Sequence, residues 1–146
     1  MYLFQKITKI GVMLINLDKD FYAIGVGDPE GFPAIEFDLS TGTSIILIFS
    51  SLELAKQYTY LRRPELEKNT YKLSKVTYEG KIIQSELLKI ARLAKKYRNV
   101  KHFVFDHPGK IGTAQYLTIQ EVLMFGRQNV KNNQKNELIS FLDDQD

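Results

Sequence analysis

Residues 45–49, Ile-Ile-Leu-Ile-Phe, contain no polar member, and four of the five are β-branched or aromatic. A short run of this kind is the signature of a central strand buried on both faces, so the rest of the chain must supply a layer on either side of it. The run is also the longest of its type. It falls far short of the ~20 residues that a membrane-spanning helix needs, and no transmembrane segment is expected. With 146 residues, 44% hydrophobic and 25% charged, the chain has the size and balance of one globular domain. There is no Cys and only two His, which removes disulfides, thiolate metal sites and a cysteine nucleophile. The N-terminal Met1-Tyr2-Leu3-Phe4-Gln5-Lys6 lacks the long apolar core and small-residue cleavage site of a secretory signal, so a cytoplasmic protein is expected.

The first half reads as strands separated by turn residues. Residues 9–17 form one expected strand, and Asp18-Lys19-Asp20 leads into a second, 21–26, which suggests a hairpin. Asp28-Pro29-Glu30-Gly31 has the residue preferences of a type I turn. Residues 34–39 follow, with Ile35, Phe37 and Leu39 alternating against Glu36 and Asp38. This pattern predicts a strand with the two acids on its wet face.

Ser50-x-x-Glu53 has capping-box spacing and predicts a helix start; Leu54, Ala55, Tyr58 and Leu61 share its apolar side, and Pro64 stops it. Residues 71–78 read as another strand ended by Glu79-Gly80. Residues 85–97 place Leu87, Leu88, Ala91, Ala94 and Tyr97 on one helical face and Lys89, Arg92, Lys95 and Lys96 on the other. A strand over 100–105 ends at Asp106-His107-Pro108-Gly109. Thr118-x-x-Glu121 is a second capping box, opening a short helix to Gly126.

The expectation is therefore a single α+β domain over 1–126, with a mixed, largely antiparallel sheet and about three helices. A polar linker and a short amphipathic acidic tail occupy 127–146. In that tail Leu138, Ile139, Phe141 and Leu142 have helical spacing and are followed by Asp143, Asp144 and Asp146. This apolar face either caps its own domain or docks on another molecule as a helix in a groove.

Net charge is +3, but it is unevenly spread. Residues 56–101 hold thirteen Lys and Arg against four acids, or +9, inside an otherwise acidic chain. Arg62, Arg63, Lys95 and Lys96 are the candidate binding cations. Interleaved with Tyr58, Tyr60, Tyr71 and Tyr78, such a segment could serve an acidic protein or the stacked bases of a nucleic acid, although long cationic side chains more often simply solvate a helix face.

Catalytic signatures are sparse. His102, Asp106 and His107 are the one group with acid–base potential. Strand alternation would set His102 and Asp106 on one face and His107 on the other, which separates the histidines. With no Cys and two His, neither a metal site nor a cofactor is expected. Asp106 reads instead as a turn residue accepting local backbone amides. Gly25-Val26-Gly27-Asp28-Pro29-Glu30-Gly31 leads toward another strand rather than a helix, so it is not a phosphate loop, and no G-x-x-x-x-G-K-[ST] or G-x-S-x-G is present.

The order of a buried strand ending in Phe49, the step Ser50-Ser51-Leu52-Glu53-Leu54-Ala55, a basic amphipathic helix, the 100–105 strand and a Pro-Gly turn resembles the N-terminal domain of SseB-like proteins, over about residues 21–125. Asp106-His107-Pro108-Gly109 stands where that family has an Asn-Pro-like step, and the linker and acidic tail have no counterpart. The resemblance implies a cytoplasmic α+β domain without an established catalytic centre, associated loosely with secretion enhancement or serine sensitivity. It carries over no functional residues. The expected function is a non-enzymatic interaction or regulatory module that binds another protein, or itself, through the basic face or the tail. Nucleic-acid binding through 56–101 is the alternative, and an enzyme centred on His102, Asp106 and His107 is third.

Overall fold

The computed structural model describes residues 19–127 apart from 28, 29, 40, 98 and 111. Its centre is a four-stranded sheet in the order β3-β4-β8-β9, formed by β3 (Ile35–Asp38), β4 (Thr43–Ile48), β8 (Val100–Phe105) and β9 (Gln115–Thr118). β4 and β8 are parallel and the other two pairs antiparallel. The apolar run is central, as its composition requires. Ile46 and Ile48 face one core, with Phe103, Phe105 and Leu117. Ile45, Leu47 and Phe49 face the other, with Val104 and Tyr116.

A different helical layer covers each face. Helix α1 (Leu52–Arg62) lays Ala55 and Tyr58 on the Ile45 side. Helices α2 (Ser85–Tyr97) and α3 (Ile119–Arg127) lay Leu87, Ala91, Ala94, Val122 and Leu123 on the Ile46 side. The fold is thus α+β, with mixed and antiparallel sheets and, among the described residues, three α-helices and a 3₁₀ segment, Pro64–Asn69.

A second sheet, β2-β1-β5, is built from β1 (Tyr22–Gly27), β2 (Glu30–Pro33) and β5 (Thr70–Lys72). It joins the first where Tyr22 and Phe49 exchange backbone hydrogen bonds of 2.7 and 2.8 Å. Residues 22–24 pair with β5. The Phe49 bridge and the Ala34 N–H to Ile24 carbonyl bond (2.7 Å) engage them as well. The expected hairpin partner, residues 9–17, lies outside the described residues. Glu30 and Gly31, expected in a turn, belong to β2. Gly25–Gly27 are strand and lead to strand, as the rejection of a phosphate loop requires.

The expected strand 71–78 is broken into β5 and β6 (Val76–Tyr78), which lie in different sheets. The break has a local cause. The Ser74 amide donates to the Glu86 carboxylate (2.6 Å), and its carbonyl accepts from the Glu86 amide (3.1 Å) and the Ser85 hydroxyl (3.2 Å). With its backbone committed to the start of α2, Ser74 cannot continue a ladder. β6 instead pairs with β7 (Lys81–Ile83) through Glu79-Gly80, both at positive φ (49° and 77°). That is the geometry of a type I′ turn, which suits Asn better than Glu at its first central position. Glu79→Asn is expected to raise stability by about 0.5–1 kcal/mol, read as a higher urea midpoint at unchanged slope.

Both capping boxes mark helix starts. The Thr118 hydroxyl accepts from the Glu121 amide (3.0 Å), and the Glu121 carboxylate accepts from the Thr118 amide (2.9 Å). At α1 the cap is one residue later than expected. Ser51 accepts from the Leu54 amide (3.1 Å), because the Ser50 side chain is bonded to Asp106. Pro64 follows the helix end, as its ring dictates. Leu61 is largely exposed, and Thr59 is buried in its stead.

Candidate functional site

A cluster of polar residues lies on the α1 side of the central sheet, and β3 places two of them there. The alternation holds but, contrary to the expected wet face, Phe37 and Leu39 are each 63% exposed, whereas Asp38 is buried and Glu36 half-buried. The inversion follows from the partners of the acids. The Tyr116 hydroxyl donates to the Asp38 carboxylate (2.8 Å), and the Thr41 hydroxyl donates to it as well (3.1 Å). Glu36 accepts from the Arg63 guanidinium (2.9 Å) and, at 3.4 Å, from the Tyr58 hydroxyl. A carboxylate facing inward is stable when it is paired in this way. Phe37 on β3 and Leu39 just past its end are then left outward, and β3 is an edge strand among the described residues.

Tyr58 is the hub of the cluster. Its ring lies 5.8 Å from that of Phe49 and stands edge-on to His107 at 5.0 Å. Burial, then the Glu36 charge, push its phenol well above the usual range, so it stays protonated and donates.

His107 is buried, and its Nδ1 accepts from the Gly109 amide (3.0 Å). Burial, followed by the Arg62 charge, lowers its pKa from 6.5 to about 4, against a smaller opposing pull from Asp38. The neutral ring is therefore the folded form. Below pH 6.5 the unfolded chain binds a proton that the folded chain refuses until about pH 4, so stability is full above this window and falls as pH drops through it. Replacing His107 with Gln is expected to flatten that part of the profile, measured by urea unfolding at half-unit steps from pH 7.5 to 4.

The three candidates for acid–base work are each held by a structural contact. His102 stands edge-on to Tyr116 at 5.9 Å, on the α1 side. Asp106 has φ 60°, so strand alternation stops at Phe105 and His107 turns its ring toward Tyr58 on that same side rather than the opposite one. Asp106 does not accept local turn amides as expected. Its two carboxylate oxygens accept from the Ser50 amide (2.7 Å) and the Ser50 hydroxyl (2.8 Å), tying the end of β4 to the end of β8. Among the described residues, no group of three or more His, Asp or Glu side chains is placed to hold a metal ion, and no helix is long and apolar enough to cross a membrane.

The candidate cations do not share one face. Arg62 and Arg63 end α1, whereas Lys95 and Lys96 lie in the last turn of α2, on the other side of the sheet. Arg63 is further engaged by Glu65 (2.8 Å) and Glu36 (2.9 Å), whose hydrogen bonds hold its charge more firmly. Of the tyrosines proposed for stacking, Tyr58 is core, and Tyr71 and Tyr78 pack against the α2-side core. Tyr60 alone of this set projects, 77% exposed. Leu138, Ile139, Phe141 and Leu142 lie outside the described residues. Residue patterning missed the outward Phe37 and Leu39. The two acids at alternate positions were visible, but partners on α1 and β9 decide which way they face. Compared with known proteins, the chain matches no family model and no curated sequence.

Proposed function

We propose that the protein is a non-enzymatic, cytoplasmic binding module that docks another protein along the outer edge of β3. The observation that carries this reading is the pair Phe37, on β3, and Leu39, just past its end, large apolar side chains 63% exposed at what is, among the described residues, an edge strand whose acids are turned inward. Soluble proteins usually protect such an edge with charge, proline or a bulge, because it templates strand addition. A retained apolar edge fits a partner that adds an extended segment and places its own apolar side chains beside Phe37. The commitment of His102, Asp106 and His107 to structural contacts, and the resemblance to the SseB-like N-terminal domain, favour a role without catalysis.

Photo-crosslinking from position 37 in the full chain tests the reading. A discrete protein adduct is expected at 37 and none from position 95 on α2. The double variant Phe37→Ser, Leu39→Ser should abolish binding to the partner so identified, with stability changed by less than about 0.5 kcal/mol. Equal adducts from both positions, or none from 37, would overturn it.

Tyr60 favours a second reading, nucleic-acid binding at the end of α1. The Pro108-Gly109-Lys110 turn packs there, with Gly109 at φ 78° leaving 3.4 Å from its absent Cβ to Leu61. Single-stranded RNA or DNA anisotropy titrated at several salt concentrations would show micromolar binding with a steep salt slope if this reading holds.

A further inference from the structure

We infer that the segment docked on β3 comes from a different protein and alternates apolar residues with a Lys or Arg that pairs with Glu36. The inference rests on the β3-edge reading above and adds the chemistry of the partner to it.

Glu36 is engaged by its own chain on one oxygen only. Its bonds from Arg63 and Tyr58 both fall on Oε1, and Oε2 accepts no hydrogen bond among the described residues. The side chain is 25% exposed. Arg63 does not fully offset its charge, because the same guanidinium is shared with Glu65, so that one cation serves two carboxylates. With Asp38 and Arg62 counted, the cluster still holds three carboxylates against two guanidinium groups, and its histidine, His107, is neutral. Asp38 differs from Glu36. It is buried and held by Tyr116 and Thr41, so a strand arriving from outside meets Glu36 alone.

An added strand places one residue opposite Glu36 on the α1 side, with Cβ atoms about 4.5–5.5 Å apart. The residues before and after it lie opposite Ile35 and Phe37 on the other side, because side chains alternate. A cation at the first position meets the spare carboxylate oxygen, and apolar residues at the other two cover Phe37. A second copy of this chain cannot supply that pattern. Antiparallel pairing about a two-fold axis normal to the sheet sets even-numbered residues against even-numbered ones. Each register that brings Phe37 against Ile35, Phe37 or Leu39 of a second copy therefore sets acid against acid, as Glu36 with Glu36, Glu36 with Asp38, or Asp38 with Asp38. Like charges directly opposite destabilise a pair, and inward-turned charges are a general guard against edge-to-edge association.

Panning a phage-displayed library of random nonapeptides on the full-length chain tests the inference. Peptides enriched on the parent, and not on the Phe37→Ser, Leu39→Ser double variant, should carry Lys or Arg between two apolar residues. A synthetic peptide of the enriched sequence should lose about two- to fivefold in affinity when that cation is replaced by Gln, with a smaller difference at high salt. On Glu36→Gln, which keeps an acceptor for Arg63, the Lys or Arg peptide and its Gln form should bind alike. Glu65→Gln alters an exposed side chain off β3 and should narrow the preference too, because Arg63 is then left to Glu36. Peptides that need Phe37 and Leu39 but carry no fixed cation, or that keep the same preference on Glu36→Gln, would overturn the inference and leave the β3-edge reading standing. If no peptide depends on Phe37 and Leu39, both fall. Self-association of the parent in sedimentation, lost in the double variant, would make the occupant a second copy and overturn the inference.

Discussion

Tyr58→Ala is expected to destabilise the domain by about 3–5 kcal/mol, a large part of the 5–15 kcal/mol that holds a typical domain folded. The ring is buried and touches three elements at once: Phe49 at the end of β4, His107 in the turn after β8, and Glu36 on β3. Deleting it opens a cavity where α1 meets the sheet, and that helix has few other buried side chains with which to close the gap. Ala55 and Thr59 are both small. Tyr58→Phe isolates the hydroxyl. Its contact with Glu36 is long, at 3.4 Å, and Glu36 keeps Arg63, so a loss below about 1 kcal/mol is expected. A second readout separates cavity from general weakening. Burial is the main cause of the low His107 pKa, so its NMR titration should stay near 4 in Tyr58→Phe and move toward 6.5 in Tyr58→Ala under conditions where the variant remains folded. An alanine variant within 1 kcal/mol of the parent would show that α1 does not depend on this ring.

What was legible in the sequence was what nearest neighbours decide. Thr118 and Glu121 cap each other three residues apart, and no distant element need be known to read them. Residues 45–49 are apolar on both sides, so burial on both faces holds in any topology that makes them a strand. Residues 34–39 show the limit of such reasoning. Period-two alternation says that Glu36 and Asp38 share a face opposite Phe37, but it is symmetric about which face is wet. That choice is made by Arg63, 27 residues away, and Tyr116, 78 residues away. Aligning hydrophobicity with burial pointed the wrong way because it ignored partners able to satisfy two carboxylates.

The same limit explains the other displaced elements. Ser50 and Ser51 are equivalent candidates for a cap until Asp106, 56 residues later, takes the first of them. Residues 71–78 have strand composition throughout, and only the α2 start withdraws Ser74 from the ladder. The +9 segment is continuous in the sequence, but the parallel crossover from β4 to β8 sends its two helices to opposite faces of the sheet. Charge density along the chain therefore does not become charge density on one surface. The α1-side polar cluster draws on β3, α1, β8, β9 and the turn after β8, so it exists only once the topology is set.

Asp106→Ala is the second large expected effect, about 3–4 kcal/mol, although the residue lies in a turn where substitutions are ordinarily mild. Two hydrogen bonds from Ser50 to a carboxylate, at 2.7 and 2.8 Å, are lost together. Hydrogen bonds to charged groups contribute about 1.5–3 kcal/mol each, and the half-buried Ser50 amide is left seeking water. The backbone adds to this, because Asp106 adopts φ 60°, which Asp and Asn tolerate and Ala resists. Three further substitutions separate these contributions. Asp106→Gly relieves the backbone but keeps the lost bonds, and is expected to recover about 1 kcal/mol relative to Ala. Asp106→Asn keeps the conformation and one acceptor, and should cost about 1–2 kcal/mol. In a double-mutant cycle with Ser50→Ala, the coupling should report the hydroxyl contact alone, because the amide bond survives in Ser50→Ala and is lost with Asp106 in either background. Urea unfolding of the four single variants and of the Ser50→Ala, Asp106→Ala double variant measures all of this. If Ala and Gly are equally destabilised, the left-handed backbone contributes nothing. If Ser50→Ala and Asp106→Ala are strictly additive, the hydroxyl contact does not couple the end of β4 to the turn after β8.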